Sequence, residues 1–528
     1  GFARATTRED AHSFVGDKIA FRRVEQEPGE VGVVPVSGGE VVLVASSPRS
    51  EESPRWIDGS RIVLERFSED YRSREILAAN VVTGEVATLH RDFDEKWWSL
   101  SFLGAEPRPS PDGKWVAFLS DQSGWDGLYL VPSSGGAAPH RITGDGEDAR
   151  RFAWSPDSSR LSFDTNRSHP GQRHLAVADV SDPATPRITI LTEGRGTNTQ
   201  ETGAGGFVLT HERGGWSPDG RRLLFRHTDP ARPADIFWVD ATPGGPHELT
   251  QSLPPAVDRQ RLVEPQLVHY PSADGRKVPA YLFVPPDLDR SRRHPAIVWI
   301  HGDGIAQNYD GWHVRRDYAV YYSFHQYLAQ RGYVVLAPDY RGSIGYGREW
   351  RVAPYRDLGG LDYQDVAAGV PYLESLLYVD TERVAVWGLS YGGFLTLQAL
   401  TLDPELFRCG IDVAGVQDFR DWYRDPGGNW IGGRLGDPRE NPGAYLQAAP
   451  IERVSRIARP LLVFHGTADV NVPFLESLKL TDALARAGKD FDFVVYPGEF
   501  HYFHREHVLR DFFRRAEEFF ERCSREGS

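Results

Sequence analysis

Gly388-Leu389-Ser390-Tyr391-Gly392-Gly393 stands between an apolar β-type run at 384–387 and a helical run at 394–402. A strand that breaks at Gly-x-Ser-x-Gly and turns directly into a helix is a nucleophile elbow, which presents the serine hydroxyl at the strand's end. The serine holds a strained backbone there, and a side chain at Gly388 or Gly392 would collide with the neighbouring strand and helix. In a chain with 53 glycines the bare pattern says little. Its setting and its downstream partners decide the reading.

A serine hydroxyl is a weak nucleophile until an imidazole removes its proton, and an acid must fix that imidazole's tautomer. On this scaffold the acid and then the histidine follow the serine, on loops after later strands. Asp469 lies in His465-Gly466-Thr467-Ala468-Asp469-Val470-Asn471-Val472-Pro473, just past an apolar run at 461–464. His501 closes Tyr496-Pro497-Gly498-Glu499-Phe500-His501, just past a run at 491–495. Ser390, Asp469 and His501 are therefore the candidate catalytic residues. His504 and His507 fall at the start of the final helix and read as solvated. His465 reads as a strand-end histidine bonded to loop backbone. Glu499 is the alternative acid, but two residues before the base it is poorly placed to grip the same imidazole.

The oxyanion of an acyl-transfer intermediate needs at least two preorganised donors. One is expected from the backbone N–H of Tyr391. The other is expected from His301-Gly302-Asp303-Gly304, after the apolar run at 296–300, where the alternative is a simple turn.

Outward from the elbow, short apolar runs recur at 280–284, 296–300, 333–337, 384–387, 410–414, 461–464 and 491–495. Helical segments separate most of them, among them 317–330, 475–487 and 504–522. The last places Val508, Leu509, Phe512, Phe513, Ala516, Phe519 and Phe520 on one face, a core stripe. Strand–helix alternation implies an α/β domain with a doubly wound, mostly parallel sheet, from about residue 259 to 528.

Residues 1–258 have a different grammar. A turn recurs as Gly16-Asp17, Ile57-Asp58-Gly59, Ser110-Pro111-Asp112-Gly113, Ser155-Pro156-Asp157-Ser158 and Ser217-Pro218-Asp219-Gly220, each followed by a β-type run. Pro presets φ, Asp bonds the backbone ahead and Gly supplies a positive φ. The Asp spacings of 41, 54, 45 and 62 residues match β-propeller blades with insertions. Five blades are legible, and one or two degenerate ones have room in the longer intervals. An irregular all-β sandwich is the alternative.

Composition excludes several classes. With 40% hydrophobic and 25% charged residues, 528 residues can bury a large core without staples. A net charge of −14 argues against nucleic acid as partner. The two cysteines, Cys409 and Cys523, read as free thiols, with a single disulfide as the alternative. No Cys/His spacing suits a zinc site, so no metal is expected. No apolar run reaches the roughly 18 residues of a membrane span. The N-terminus, Gly1-Phe2-Ala3-Arg4, lacks the order of a signal peptide, so the expected compartment is the cytoplasm. Export is the alternative if a leader has been removed.

A propeller followed by an α/β-hydrolase domain with GLSYGG (388–393), HGTADVNVP (465–473), YPGEFH (496–501) and DYRGSIGYGREW (339–350) resembles the prolyl oligopeptidase family of serine peptidases. The likeness covers nearly the whole chain and is nearest to the dipeptidyl peptidase IV and acylaminoacyl-peptidase branches. It implies an active site enclosed between the domains, open to short peptides. It also implies that Asn471 contacts the substrate backbone and that Val416, Phe419, Trp422, Tyr391 and Val472 line the primary pocket. Such walls suit proline or another compact apolar side chain; Phe419 and Trp422 as plain core residues are the alternative.

Two departures stand out. The dipeptidyl peptidase IV branch has an oxyanion-binding tyrosine where this chain has His301, so the histidine or a nearby backbone N–H must serve. That branch also grips the substrate amine with two propeller glutamates, and no equivalent is legible here. Glu51-Glu52 and Glu147-Asp148 read as solvated loops. Oligomeric state is not legible; the resemblance admits a homo-oligomer.

The expected function is a serine peptidase acting on short peptides through an acyl-enzyme at Ser390, in exo- or oligopeptidase mode. An acylaminoacyl-peptidase or an esterase with the same triad is the alternative, and a binding protein with a vestigial hydrolase domain is a third class. The triad needs no cofactor.

Overall fold

The computed structural model describes residues 8–15, 18–24, 29–35, 42–47, 54–68, 70–97, 106–200, 215–313, 315–424 and 429–525. Among these residues the N-terminal half shows a succession of five four-stranded antiparallel sheets, each made from consecutive strands, a propeller-like arrangement. The third, for example, runs Arg108–Pro109, Trp115–Ser120, Gly127–Pro132 and His140–Arg141.

The repeated turn is one device used three times. Ser110, Ser155 and Ser217 each accept, through their carbonyl, the N–H of the residue three ahead, at 2.9, 3.0 and 2.9 Å. Their hydroxyls donate to Asp112, Asp157 and Asp219. The residue closing each turn has positive φ: Gly113 at 71°, Ser158 at 62° and Gly220 at 67°. The Gly16-Asp17 turn and Glu51-Glu52 lie outside the described residues.

Apolar residues of these sheets meet in the seams between consecutive sheets. Val63, Ile76 and Leu89 of the second sheet pack with Val116, Phe118 and Val131 of the third. Leu175 and Val177 of the fourth pack with Phe225 and Val239 of the fifth.

The C-terminal half is built on an eight-stranded sheet: β1 Gln266–Pro271, β2 Lys277–Phe283, β3 His294–Ile300, β4 Val334–Pro338, β5 Val379–Leu389, β6 Cys409–Val413, β7 Leu461–Gly466 and β8 Asp492–Tyr496. The spatial order is β1-β2-β4-β3-β5-β6-β7-β8. β1 and β2 are antiparallel to their neighbours, and every pair from β4 onward is parallel. β1 has no counterpart among the seven predicted runs. It is an edge strand with one buried residue, so it lacks the apolar signature that marks the others.

The central strands are buried on both faces. Trp299 and Trp387 pack with Tyr321, Phe324, Phe512 and Phe520 on one side. On the other, the helix Tyr391–Leu402 is buried almost all round. In the final helix, Glu506–Ser524, Val508, Phe512, Ala516, Phe519 and Phe520 are buried and Leu509 and Phe513 half-buried, as the stripe predicted.

The cysteines are not free thiols. Cys409 opens β6 and Cys523 lies in the last turn of the final helix, with Cα atoms 6.2 Å apart and a disulfide between them. The helix lies along the sheet and returns its end to the start of β6, a closeness that 114 residues of separation conceal.

Candidate active site

Ser390 follows the last residue of β5 with φ 61° and ψ −118°, a conformation that strains any residue with a side chain. The surrounding packing holds it there. A Cβ on Gly388 would stand 2.5 Å from Gly392 backbone and 2.6 Å from the Ile300 carbonyl oxygen; on Gly392, 2.1 Å from that same oxygen. The elbow leads straight into a helix that starts at Tyr391, so the Tyr391 N–H belongs to a first turn and has no partner within the helix.

Asp469 follows β7, and His501 follows β8. The two loops are tied together: Ala468 N–H donates to the Glu499 carbonyl at 2.9 Å, and Gly498 N–H to Thr467 Oγ1 at 2.8 Å. Gly466 permits this approach, because a Cβ there would stand 2.3 Å from the Glu499 carbonyl oxygen. His501 Nδ1 then lies 2.6 Å from Asp469 Oδ2. His501 Nε2 is buried and has no hydrogen-bond partner among the described residues; no bond to Ser390 is formed in this structure.

Asp469 is held from several directions. Its Oδ1 accepts the N–H groups of Asn471 at 2.8 Å and Val472 at 2.9 Å. Its Oδ2 also meets His465 Nε2 at 3.1 Å. Burial alone would raise the carboxyl's pKa, but the bonds from His465 and His501 outweigh it and hold the group well below the usual carboxylate range. His465 is fully buried; its Nδ1 lies 2.7 Å from Ser477 Oγ and its Nε2 3.0 Å from the Val472 carbonyl. It is thus bonded to loop backbone, as expected, and to the candidate acid as well, which sequence reading missed.

Glu499 is not placed to serve as the acid. Its buried carboxylate accepts the His504 N–H at 2.9 Å and pairs with the His504 and Arg505 side chains. His504 and His507 are exposed.

The loop after β3 abuts the nucleophile: a Cβ on Gly302 would stand 3.2 Å from Ser390 Cβ and 2.9 Å from the Leu389 carbonyl oxygen. His301 is buried with both ring nitrogens engaged, Nε2 at 2.9 Å from Ser343 Oγ and Nδ1 at 2.9 Å from the Gly302 carbonyl. Burial lowers its pKa to about 4. Its imidazole is therefore committed to Ser343 and the Gly302 carbonyl, so the side chain is not free for the oxyanion role expected of it. Asp303 has φ 63° and pairs with Arg315 at 3.4 Å.

Tyr391, Val416, Phe419 and Val472 are buried in one apolar cluster, and Trp422 packs on Phe419 at 6.1 Å. Asn471 is exposed. The Tyr391 hydroxyl donates to buried Asp362. The propeller-like half reaches this region through Trp97, whose ring lies 5.7 Å from the Arg434 guanidinium; the same guanidinium lies 5.3 Å from the Tyr391 ring.

The 339–351 stretch joins the halves. Arg351 donates to Asp126 at 2.7 Å and to Asp121 at 2.8 Å, and Arg348 to Asp94 at 2.7 Å. Glu147-Asp148, expected to be solvated, is buried beside this joint. Glu147 accepts from Gly144 N–H and Thr165 Oγ1, both at 2.8 Å, and Asp148 accepts from Asp126 N–H at 3.1 Å. Acidic residues are normally exposed, but here Arg150 and Arg351 supply the opposing charge.

Among the described residues no cluster of His, Cys, Asp and Glu could hold a metal ion, and no helix is long and apolar enough to cross a membrane.

Residues 320–527 match the model of the prolyl oligopeptidase family, and residues 52–209 that of the dipeptidyl peptidase IV N-terminal region. Dipeptidyl aminopeptidase BIII of Pseudoxanthomonas mexicana is 28% identical over 283 residues, covering 51% of this chain and 40% of its own. A probable dipeptidyl-aminopeptidase B of Talaromyces marneffei is 25% identical over 518 residues, 93% of this chain and 53% of its own. The chain thus spans about half the length of these curated relatives. Among solved structures, a puromycin-hydrolyzing peptidase of Mycobacterium tuberculosis superposes with a TM-score of 0.80 at 21% identity, over 98% of this chain and 79% of that one. Dipeptidyl peptidase 4 of Porphyromonas gingivalis gives 0.77 at 19%, over 96% and 73%. The two models thus match in chain order, that of the dipeptidyl peptidase IV N-terminal region on the propeller-like half and that of the prolyl oligopeptidase family on the α/β-hydrolase half.

Proposed function

We propose that the chain is a serine peptidase that hydrolyses short peptides through an acyl-enzyme on Ser390. The observation that carries this reading is the state of His501: Nδ1 fixed on Asp469 at 2.6 Å, Nε2 buried and without a partner. With the proton on Nδ1, Nε2 is a base with one lone pair to offer. Ser390 Oγ attacks the scissile carbonyl, and its proton passes to Nε2. Asp469 stabilises the imidazolium that results, and His501 returns the proton to the departing amine. Water repeats the sequence to release the acid. The N–H groups of Tyr391 and of the Gly302 loop receive the oxyanion.

The apolar cluster of Tyr391, Val416, Phe419 and Val472, with Trp422 at its edge, supports a pocket for proline or another compact apolar side chain. The relatives named as dipeptidyl peptidases support release of dipeptides. The Cys409–Cys523 disulfide supports an exported chain, since such bonds persist in oxidising compartments.

The test is hydrolysis of chromogenic Xaa-Pro and Xaa-Ala dipeptidyl amides, their N-acylated counterparts and a simple ester, by wild type and Ser390→Ala. Turnover of the free-amine dipeptides, lost in the variant, is expected. Turnover of the ester alone would move the assignment to an esterase, and activity retained by the variant would remove Ser390 from it.

A further inference from the structure

Tyr318 is the third residue of the helix Arg316–Gln330 and is 5% exposed. Its Oη is buried and makes no hydrogen bond of full geometry among the described residues, only a weak contact with the Tyr502 hydroxyl. A buried hydroxyl left unmatched carries a desolvation penalty of about 1–3 kcal/mol, so its place asks for a use.

That place is beside the nucleophile. A Cβ added to Gly302 would stand 2.6 Å from Tyr318 Oη and 3.2 Å from Ser390 Cβ. The phenol oxygen and the nucleophilic residue therefore both close on residue 302, an approach that a side chain there would prevent. The Tyr391 N–H starts its helix directly after Ser390.

The ring is held firmly. His313 stacks on it with centroids 5.0 Å apart, the Arg315 guanidinium lies 5.3 Å from its centroid, and the Tyr502 ring lies at 5.9 Å. Arg315 also holds Tyr502 Oη at 3.2 Å and Asp303 at 3.4 Å, joining the loop after β3 to the loop carrying His501. Burial, with Asp303 and Tyr502 adding to it, keeps the Tyr318 phenol protonated and hence a donor. The His301 imidazole, committed to Ser343 and Gly302, cannot fill this role.

We propose that Tyr318 is an additional oxyanion donor, its Oη–H bonding the scissile carbonyl oxygen as Ser390 attacks. The inference rests on the acyl-transfer reading above. In the step, Ser390 Oγ bonds the carbonyl carbon and its proton moves to His501 Nε2. The carbonyl π pair moves onto the oxygen, which Tyr318 holds without releasing its own proton. The pair returns as the C–N bond breaks and the amine leaves with the proton from His501.

Tyr318→Phe deletes the hydroxyl and keeps the ring. Because at most a weak contact with the Tyr502 hydroxyl is lost in the free protein, its Tm is expected to stay close to that of wild type. Its kcat is expected to fall about 10²–10³-fold with KM little changed. Inhibition by a peptide aldehyde, whose serine adduct carries the oxyanion, is expected to weaken more than substrate binding does. Wild-type kcat in the variant overturns the proposal, as does equal weakening of aldehyde and substrate, or a fall in Tm that accounts for the lost rate. A wild-type protein that neither turns over any of the amides or the ester nor reacts with a fluorophosphonate overturns the reading beneath it instead.

Discussion

In the propeller-like half, the apolar clusters sit in seams between consecutive four-stranded sheets, whereas in the α/β half a single eight-stranded sheet is covered on both faces. The seams also hold buried ions: Arg74, fully buried, pairs with Glu65 and Asp92 of its own sheet and donates to the Leu119 carbonyl of the next, and Arg150 pairs with Asp126 across a seam. In the α/β half the candidate reacting groups stand just past the carboxyl ends of β5, β7 and β8, where strand geometry presents them to one space. The first half is a series of joined units. The second is one body whose residues carry the proposed chemistry, met by the first through Asp94, Asp121, Asp126 and Trp97 and through further bonds such as those of Gln172 and Arg195 to Asp310.

This contrast can be broken in order of effect. Ser390→Ala should abolish amide hydrolysis, a fall of about 10⁴–10⁶-fold in kcat, with unchanged thermal stability. Asp469→Asn should cost about 10⁴-fold, because an amide can donate to Nδ1 and favour the wrong tautomer. Both are read by steady-state kinetics, and appreciable activity in either variant would break the assignment of chemistry to the α/β half.

The pH profile sharpens the same point. Asp469 is held below its ordinary range, so it stays charged through mildly acidic pH. Its stabilising effect is complete above the unfolded carboxyl's pKa of about 4 and is lost only as pH falls through the lower folded value. Protonation of Asp469 should therefore play no part in any fall of kcat/KM at mildly acidic pH, read from the pH profile. An acid limb that Asp469→Asn shifts or removes would contradict the geometry around Asp469.

The joint between the halves should fail differently. Arg351→Ala takes a buried cation from Asp121 and Asp126 that Arg348 and Arg150 only partly replace, at a cost of about 3 kcal/mol in a denaturant titration. The folded fraction should still acylate with a fluorophosphonate at the wild-type rate. Within the α/β half, Cys409→Ser should cost about 2–4 kcal/mol by releasing the final helix from β6, and reductant should reproduce it.

What could be read beforehand follows physical lines. The Ser-Pro-Asp-Gly turns were legible because each needs its residue types locally: a hydroxyl, a preset φ, a carboxylate and a positive φ. The elbow and the stripe of the final helix were legible for the same reason. The helix after the elbow begins at Tyr391 where 394 was expected, because Gly392 and Gly393 look like turn residues. In place they are packing residues: a Cβ on Gly393 would stand 2.3 Å from Asp412 Oδ1. Strand β1, the disulfide and buried Glu147-Asp148 depend on elements far apart in the chain or on sheet order, and a single sequence records neither; the His465–Asp469 contact spans only four residues but needs the fold of its loop. Tyr318 gives no local signal at all, being one tyrosine among several on an aromatic helix.

The central claim is that Ser390 is the activated nucleophile, and covalent labelling tests it most directly. Wild-type protein treated with a fluorophosphonate and digested should carry one adduct, on the peptide containing Ser390, and Ser390→Ala should carry none. An unlabelled wild-type protein, or an adduct elsewhere that survives in the variant, would contradict the account.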